Sequence, residues 1–476
     1  MLKKLFFLFV SIFFIYSCAI NPTTGKRELF FITEPQEIEL GKSVYSNAIW
    51  EAEGGGGEYK DPLLKKYLEN IVMKIHENSH RPNLPLYFAI QNSSIPNAWA
   101  IPGYIVITRG LLANLESEAE FAYIMGHELG HISARHTAKQ VTYSLLTQLG
   151  AATAGIFLSS KEYANFVLEA GSLTTTLLLL KYSRDDELEA DRLGLEYMTK
   201  IGYKPENAIK AHKNLENAVS SYLKEVGHES KERGFLENLL STHPRSSIRV
   251  EELKSIAAQY PVKNLNGDGT NRESFEKMIE KLRVINKAYL QYYDKAYKLF
   301  RENKINEAEK ELEKALGIDQ SQPAFYTLRG LIYMKRGLNG LAEKYFKIAT
   351  ELDNDYQPAI KSLGFLRFSQ KSYFDAIRQF EKSIKLYPND IVSQYFAGLS
   401  YFQINNFNKA KDYFLSFAKV YPTHEEVHGY LGFCFEKLAD LDRAYKHYSI
   451  QVNINPNNEI GRKSKERLFY LKTIIK

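Results

Sequence analysis

A His-Glu-Leu-Gly-His segment that begins at His127 carries the residue types of a metal-dependent hydrolase. The stretch around it is predicted to be helical, because Ser117 and Glu120 form a capping box ahead of it. Residues four apart share a helix face, so His127 and His131 can bind the same zinc ion. Glu128 is then placed to act as the general base toward water. The segment therefore predicts zinc-dependent hydrolysis.

A catalytic zinc site needs a third protein ligand and an open position. The histidine that metzincins carry six residues after the second ligand is absent, since Thr137 occupies that position. At 100° per residue, His136 points to the opposite side of the helix from His127. The third ligand is therefore expected to be a carboxylate from elsewhere in the chain.

The acidic segment from Asp185 to Asp191 offers that carboxylate. Glu187 and Asp191 are four apart and share a helix face, whereas Glu189 is rotated about 200° from Glu187. Glu187 would bind zinc, and Asp191 would orient a ligand histidine. The alternative is a solvated acidic helix start, which the segment taken alone favours.

The last third of the chain repeats with a period of 34 residues. Small residues recur at one position of each repeat, namely Ala296, Gly330, Gly364, Gly398 and Gly432, and alanines recur at a second, namely Ala308, Ala342, Ala376, Ala410 and Ala444. Large apolar residues recur at a third position, namely Leu312, Phe346, Phe380, Phe414 and Tyr448. Prolines end the last three repeats, at Pro388, Pro422 and Pro456. The small positions let paired helices approach, and the large side chain fills the gap. These features predict five tetratricopeptide repeats over 289–458, with a capping helix over 459–476.

A second His-x-x-x-His pair, His424 and His428, lies inside this array. The repeat phase puts His424 in the turn between two units and His428 just inside the next helix. The two imidazoles then need not share a face. We interpret this pair as a coincidence on solvated repeat surface.

The segment before the repeats is predicted to be a mainly helical α+β domain with a small sheet, over 18–261. Leu86 to Gln91 and Tyr104 to Thr108 have the β-branched and aromatic content of strands. A polar linker and a connecting helix are expected over 262–288. The fold class is therefore a mainly helical α+β domain with a small sheet, followed by an all-α solenoid.

The N-terminus has the pattern of an exported protein. Lys3 and Lys4 precede an apolar run too short to span a bilayer, which indicates a signal peptide over 1–17. The run ends in a sequence that resembles the lipobox of bacterial lipoproteins, which implies a lipid on Cys18 and, because Ala19 follows, an outer-membrane location. Only Cys434 would then remain, so no intrachain disulfide is available. The net charge of +6 gives no support for nucleic-acid binding.

Together these motifs resemble the zinc peptidase family that includes HtpX, the CAAX prenyl endopeptidases and BepA-like periplasmic proteases. The segments that carry the resemblance are the His127 motif, Ser-Arg-x-x-Glu-x-x-Ala-Asp from Ser183, Asn-Pro-Thr-Thr-Gly from Asn21, and Asn-Ala-Trp-Ala-Ile-Pro-Gly from Asn97. The resemblance implies a metalloprotease domain of the gluzincin type with one zinc per chain, Glu187 as third ligand and Asp191 as its companion. It also implies a role for His243, either as a latent fourth ligand or as an oxyanion contact, with Arg249 six residues beyond it.

The expected function is hydrolysis of unfolded or stalled envelope proteins, with the repeats selecting partners from the outer-membrane assembly machinery. An extended substrate would add to an exposed edge strand near Ile101 to Thr108. Two apolar stretches, 145–158 and 173–180, are interpreted as core or as a lid rather than as membrane spans. The competing function is a nonproteolytic scaffold or assembly factor, whose latent zinc site is closed by His243.

Overall fold

The computed structural model describes residues 18–51, 55–149, 182–226, 247–262 and 264–474. The chain divides into two compact units, Met1–Asp319 and Gln320–Lys476. The predicted leader over 1–17, His243 and most of the two apolar stretches lie outside the described residues. Within the described residues, no helix has both the length and the apolar character needed to cross a membrane.

The first unit contains two small sheets. Strands β1 (Cys18–Ile20) and β2 (Arg27–Leu29) form an antiparallel pair. The second sheet has the order β3-β5-β4, with β5 parallel to β3 and antiparallel to β4. Its strands are β3 (Tyr87–Gln91), β4 (Ala98–Ile101) and β5 (Tyr104–Thr108).

Helices make up most of the remaining described part of this unit. In chain order they are α1 (Glu34–Ala48), α2 (Pro62–Glu77), α3 (Arg109–Leu112), α4 (Glu118–Ser133), α5 (His136–Leu149), α6 (Arg184–Lys200), α7 (Glu206–Val226), α8 (Ser247–Ala257), α9 (Arg272–Ala288), α10 (Asp294–Arg301) and α11 (Ile305–Ile318). A π-helical turn, Tyr289–Tyr293, joins α9 to α10. The predicted connecting helix is thus α9, and the first predicted repeat, α10 with α11, belongs to this unit.

The three-stranded sheet differs from the prediction in one respect. The two predicted strands are present, but Ala98–Ile101 forms a third that the sequence analysis did not assign. Gly103 adopts a φ of +88°, which lets the chain reverse tightly and pair β4 with β5. Because β5 lies in the middle of the sheet, the expected edge strand is wrong for 104–108, whereas Ile101 lies on β4, which is at an edge.

Helices α4 and α6 pack closely because small residues line their contact. A Cβ atom added to Gly130 would lie 3.1 Å from the Cα of Ala190, and one added to Gly126 would lie 3.1 Å from the carbonyl oxygen of Gly194. Larger side chains at these positions would push the helices apart. The close approach brings the acidic start of α6 against the histidine motif of α4.

The second unit consists of helix pairs with the predicted period. They are α12 (Pro323–Lys335) with α13 (Asn339–Leu352), α14 (Gln357–Ser369) with α15 (Tyr373–Leu386), α16 (Ile391–Gln403) with α17 (Phe407–Val420), and α18 (Val427–Lys437) with α19 (Leu441–Ile454), followed by α20 (Glu459–Ile474). A Cβ atom added to Gly364 would lie 2.6 Å from the ring of Phe380, and the other repeats of this unit show the same conflict. The predicted pairing of small and aromatic positions is therefore confirmed.

Candidate metal centre

Three side chains meet where α4 crosses α6. His127 Nε2 and His131 Nε2 lie 3.1 Å apart. Glu187 Oε1 lies 3.5 Å from His131 Nε2, and Glu187 Oε2 lies 3.7 Å from His127 Nε2. All three residues are buried, and Glu187 is 0% exposed. The alternative of a solvated acidic helix start does not hold for this carboxylate.

This arrangement fits a zinc ion. Tetrahedral zinc with ligand distances of about 2.0–2.1 Å holds neighbouring ligand atoms about 3.3 Å apart. The three separations, 3.1, 3.5 and 3.7 Å, lie close to that value. Two imidazoles and one carboxylate also form a donor set typical of catalytic zinc. Among the described residues, these three are the group of histidine, cysteine or acidic side chains whose ligand atoms lie close enough together to bind one ion.

Asp191 contacts His127 at Nδ1, the ring nitrogen that does not face His131 and Glu187. His127 Nδ1 lies 2.9 Å from Asp191 Oδ1, and the Tyr123 hydroxyl donates to the same oxygen at 2.8 Å. Burial alone would raise the pKa of Asp191, but hydrogen bonds from Arg249 and His127 hold it well below its ordinary value. A permanent carboxylate at this position favours the form of His127 that carries its proton on Nδ1 and leaves Nε2 free for metal.

Arg249 binds both buried carboxylates. Its Nε and Nη2 lie 2.7 and 2.6 Å from the two oxygens of Asp191, and its Nη1 lies 2.6 Å from Glu187 Oε2. Burial alone would lower the pKa of the guanidinium, but the two carboxylates raise it. Arg249 therefore stays charged and fixes the orientation of both acids.

Glu128, the predicted general base, is buried on α4 with 3% exposure. The neighbouring Tyr182 stacks on His131 with ring centroids 3.9 Å apart. Burial and the charge of Glu128 both raise the pKa of the Tyr182 phenol. Glu128 is therefore near enough to Tyr182, the residue stacked on His131, to act on its phenol electrostatically.

His136 does not lie where the sequence analysis placed it. Helix α4 ends at Ser133, Arg135 adopts a φ of +58°, and His136 begins the separate helix α5. The assumption of one continuous helix is wrong, and the ring of His136 lies beside His131, with the two Nδ1 atoms 2.8 Å apart. The contact between His136 and His131 was not predicted, because no glycine or proline in the sequence marks the end of α4.

The second His-x-x-x-His pair forms no comparable centre. His424 lies in the turn before α18, and His428 lies inside that helix, as predicted. His428 is 7% exposed, however, so the expectation of a solvated surface is wrong for this residue. Its ring pairs with His447, with the two Nδ1 atoms 2.9 Å apart.

Known proteins resemble this chain in both parts. Residues 62–257 match the model of peptidase family M48, and residues 323–356 and 393–424 match tetratricopeptide-repeat models. The beta-barrel assembly-enhancing protease of Escherichia coli is 24% identical over 230 residues, which cover 47% of this chain and 44% of that protein. Its counterpart in Yersinia pestis is 22% identical over 353 residues, covering 69% of this chain and 70% of that protein.

A mitochondrial relative matches as well. The metalloendopeptidase OMA1 of Saccharomyces cerevisiae is 26% identical over 250 residues, covering 49% of this chain and 67% of that protein. The match to the Escherichia coli relative spans less than half of that protein's length. The chain thus contains a domain of peptidase family M48, followed by tetratricopeptide repeats.

Proposed function

We propose that this chain is a zinc-dependent endopeptidase of the bacterial cell envelope. The observation that carries the proposal is the buried cluster of His127, His131 and Glu187, whose ligand atoms have the spacing of a zinc site inside the M48 domain. The names of the matched relatives, two proteases and one metalloendopeptidase, support the same reaction class.

A zinc ion bound by these residues would supply Lewis acidity toward the scissile carbonyl and toward water. Glu128 takes the proton of the attacking water and delivers it to the leaving amine. His243 either occupies the fourth position in a resting state or contacts the oxyanion. Arg249 and Asp191 keep Glu187 and His127 in place during the reaction.

The substrates are unfolded or stalled envelope proteins, and the repeats select them or bind the outer-membrane assembly machinery. The names of the Escherichia coli and Yersinia pestis relatives, which refer to β-barrel assembly, support this class of partner. A lipid on Cys18 holds the protein at the periplasmic face of the outer membrane. Replacing Cys18 with serine should release the protein from membranes and abolish labelling by a fatty-acid analogue. Retention in the membrane fraction after carbonate washing would contradict the anchor.

Metal analysis tests the site itself. The purified chain should hold one zinc, and Glu187→Ala should lose it because a neutral pair of imidazoles is left with no anionic ligand. His424→Ala, in the second His-x-x-x-His pair, is the matched control and should keep the zinc. Equal zinc in the parent and in Glu187→Ala would remove Glu187 from the site.

A trapping experiment identifies the substrates. Glu128→Gln retains the three ligands but lacks the base, so substrates should stay bound and be recoverable by crosslinking in the host. The Glu128→Gln, Glu187→Ala double variant, expected to lack zinc, is the control. If both variants capture the same proteins to the same extent, the repeats act without the metal centre, as in a scaffold.

A further inference from the structure

Different groups contact the Nδ1 atoms of the two ligand histidines. His127 Nδ1 faces a carboxylate, Asp191, whereas His131 Nδ1 faces the ring of His136. His136 is 1% exposed, so this contact is made inside the protein. The sequence predicted one supporting residue, Asp191, and the contact of His136 with His131 is an additional feature of this chain.

The Nδ1 contact between the two rings requires one proton, and its position decides whether His131 can bind metal. If His131 carries the proton on Nδ1, its Nε2 lone pair is free to face His127 and Glu187. If His136 donates from its own Nδ1, neutral His131 carries its proton on Nε2 and blocks the metal position. Metal binding therefore needs the form of His136 that is bare at Nδ1 and protonated at Nε2.

Two carboxylates favour the proton on Nε2 that this form requires. His136 Nε2 lies 3.5 Å from Asp186 Oδ1 and 3.5 Å from Glu189 Oε2. These distances are long for hydrogen bonds, but a buried N–H directed at two carboxylates is electrostatically favoured over a bare nitrogen lone pair. Glu189, which is no metal ligand, thus acts on the centre through His136.

Glu189 is in turn held by the N-terminal turn that follows β1. The Thr23 hydroxyl lies 2.6 Å from Glu189 Oε1 and 2.7 Å from Asn21 Oδ1, and it can donate its proton to either. The Asn21 amide also reaches the carbonyl oxygen of Ala134 at the end of α4. The Asn-Pro-Thr-Thr-Gly segment is thereby placed against the metal centre.

The backbone turn before His136 is fixed by Glu37 of α1 and by Arg81, which follows α2. Arg135 donates from Nε to Glu37 Oε1 at 2.6 Å, and Arg81 donates from Nη1 to the carbonyl oxygen of Ile132 at 2.9 Å. Glu37 is 0% exposed and binds both arginines. These ion pairs hold Arg135 in its left-handed conformation, which an L-residue adopts only at a cost.

We propose that His136 is a positioning residue of the metal centre, and that Thr23 supports it through Glu189. This inference rests on the proposed zinc site. It means that the segment directly after Cys18 stabilises the metal-binding form of His131, so metal affinity depends on whether that turn is docked.

Zinc affinity, measured on the full chain in detergent by competition with a chelator, tests the proposal. His136→Leu fills the space without an acceptor and should weaken zinc binding about 10-fold to 100-fold, as loss of a partner behind a metal ligand does. His136→Asn places an amide oxygen near the position of Nδ1 and should recover most of the affinity. Far-UV circular dichroism checks that both variants are folded.

A variant at the protein surface keeps the test independent of core packing. Thr23→Val removes only the hydroxyl and should weaken zinc binding about threefold to tenfold. Thr24→Val is the matched control, because Thr24 is exposed and its hydroxyl accepts a hydrogen bond from the backbone N–H of Lys26, whereas the hydroxyl of Thr23 contacts Glu189. Zinc affinity equal to that of the parent in both His136→Leu and Thr23→Val would overturn the inference but not the zinc site. Equal losses of zinc affinity in His136→Leu and His136→Asn would also overturn the inference. A parent chain that binds no zinc would overturn the proposed function together with the inference.

Discussion

Replacing Arg249 with methionine should destabilise the first unit more than any surface substitution there. Arg249 makes three contacts of 2.6–2.7 Å with Glu187 and Asp191, and all three side chains are at most 5% exposed. Removing one partner of a buried ion pair costs about 3–5 kcal/mol, because the remaining charges stay buried and uncompensated. Arg249→Met should therefore lower the free energy of unfolding by about 3–5 kcal/mol in the absence of metal.

Tryptophan fluorescence during urea unfolding measures this loss selectively. The chain has two tryptophans, Trp50 and Trp99, and both lie in the first unit. Arg272→Met is the matched control, since Arg272 pairs with Glu276 but is 58% exposed, so solvent screens the pair and its loss should change stability little. Zinc should restore part of the stability of Arg249→Met, because a dication replaces the missing positive charge. A loss equal to that of Arg272→Met, measured with a chelator present, would refute this reasoning.

Three further predictions concern the repeats. Phe380→Ala should cost about 3–5 kcal/mol by circular dichroism, whereas Phe374→Ala, at 75% exposure, should cost little. Burial raises the pKa of Cys434 to about 12, so mass spectrometry should find this thiol unlabelled by iodoacetamide at pH 8 until the protein unfolds. Burial, followed by repulsion from His428, lowers the pKa of His447 to about 4. Unfolded His447 takes up a proton near pH 6.5 and the folded form does not, so stability should fall as the pH falls from 6.5 to 4. His447→Leu should reduce that total loss of stability by about 1–2 kcal/mol after allowance for partial exposure.

The repeats were predictable because each depends on local and periodic features. A small residue on one helix faces a large ring on the next, as Gly364 faces Phe380, and the same spacing recurs in the four helix pairs of the second unit. The pattern is readable without knowledge of distant contacts, since each helix pair is formed by neighbouring residues.

The metal cluster was predictable in part. Helical spacing places His127 with His131 and Glu187 with Asp191, but spacing alone does not say that the two helices meet. The small residues at Gly126, Gly130, Ala190 and Gly194 could have indicated that close contact. They are spaced four apart on each helix, which is the pattern of a tightly packed helix pair.

The position of His136 could not be derived from local sequence. It depends on the left-handed conformation of Arg135, which is held by Glu37 nearly a hundred residues away in the chain. Likewise, the middle position of β5 depends on the pairing of Ala98–Ile101, a short segment with weak strand character. Both features are fixed by tertiary contacts that override local preference.

The proposal that this chain is a zinc endopeptidase is tested most directly with an unfolded protein such as casein. Its cleavage is measured with parent and His243→Ala chains of known zinc content. Zinc-loaded His243→Ala should cleave it, and faster than the parent if His243 restrains the resting enzyme. Adding Glu128→Gln should abolish cleavage while zinc is retained, because water then lacks its base. Failure of both zinc-loaded chains to cleave any unfolded protein would contradict the endopeptidase assignment and favour the scaffold.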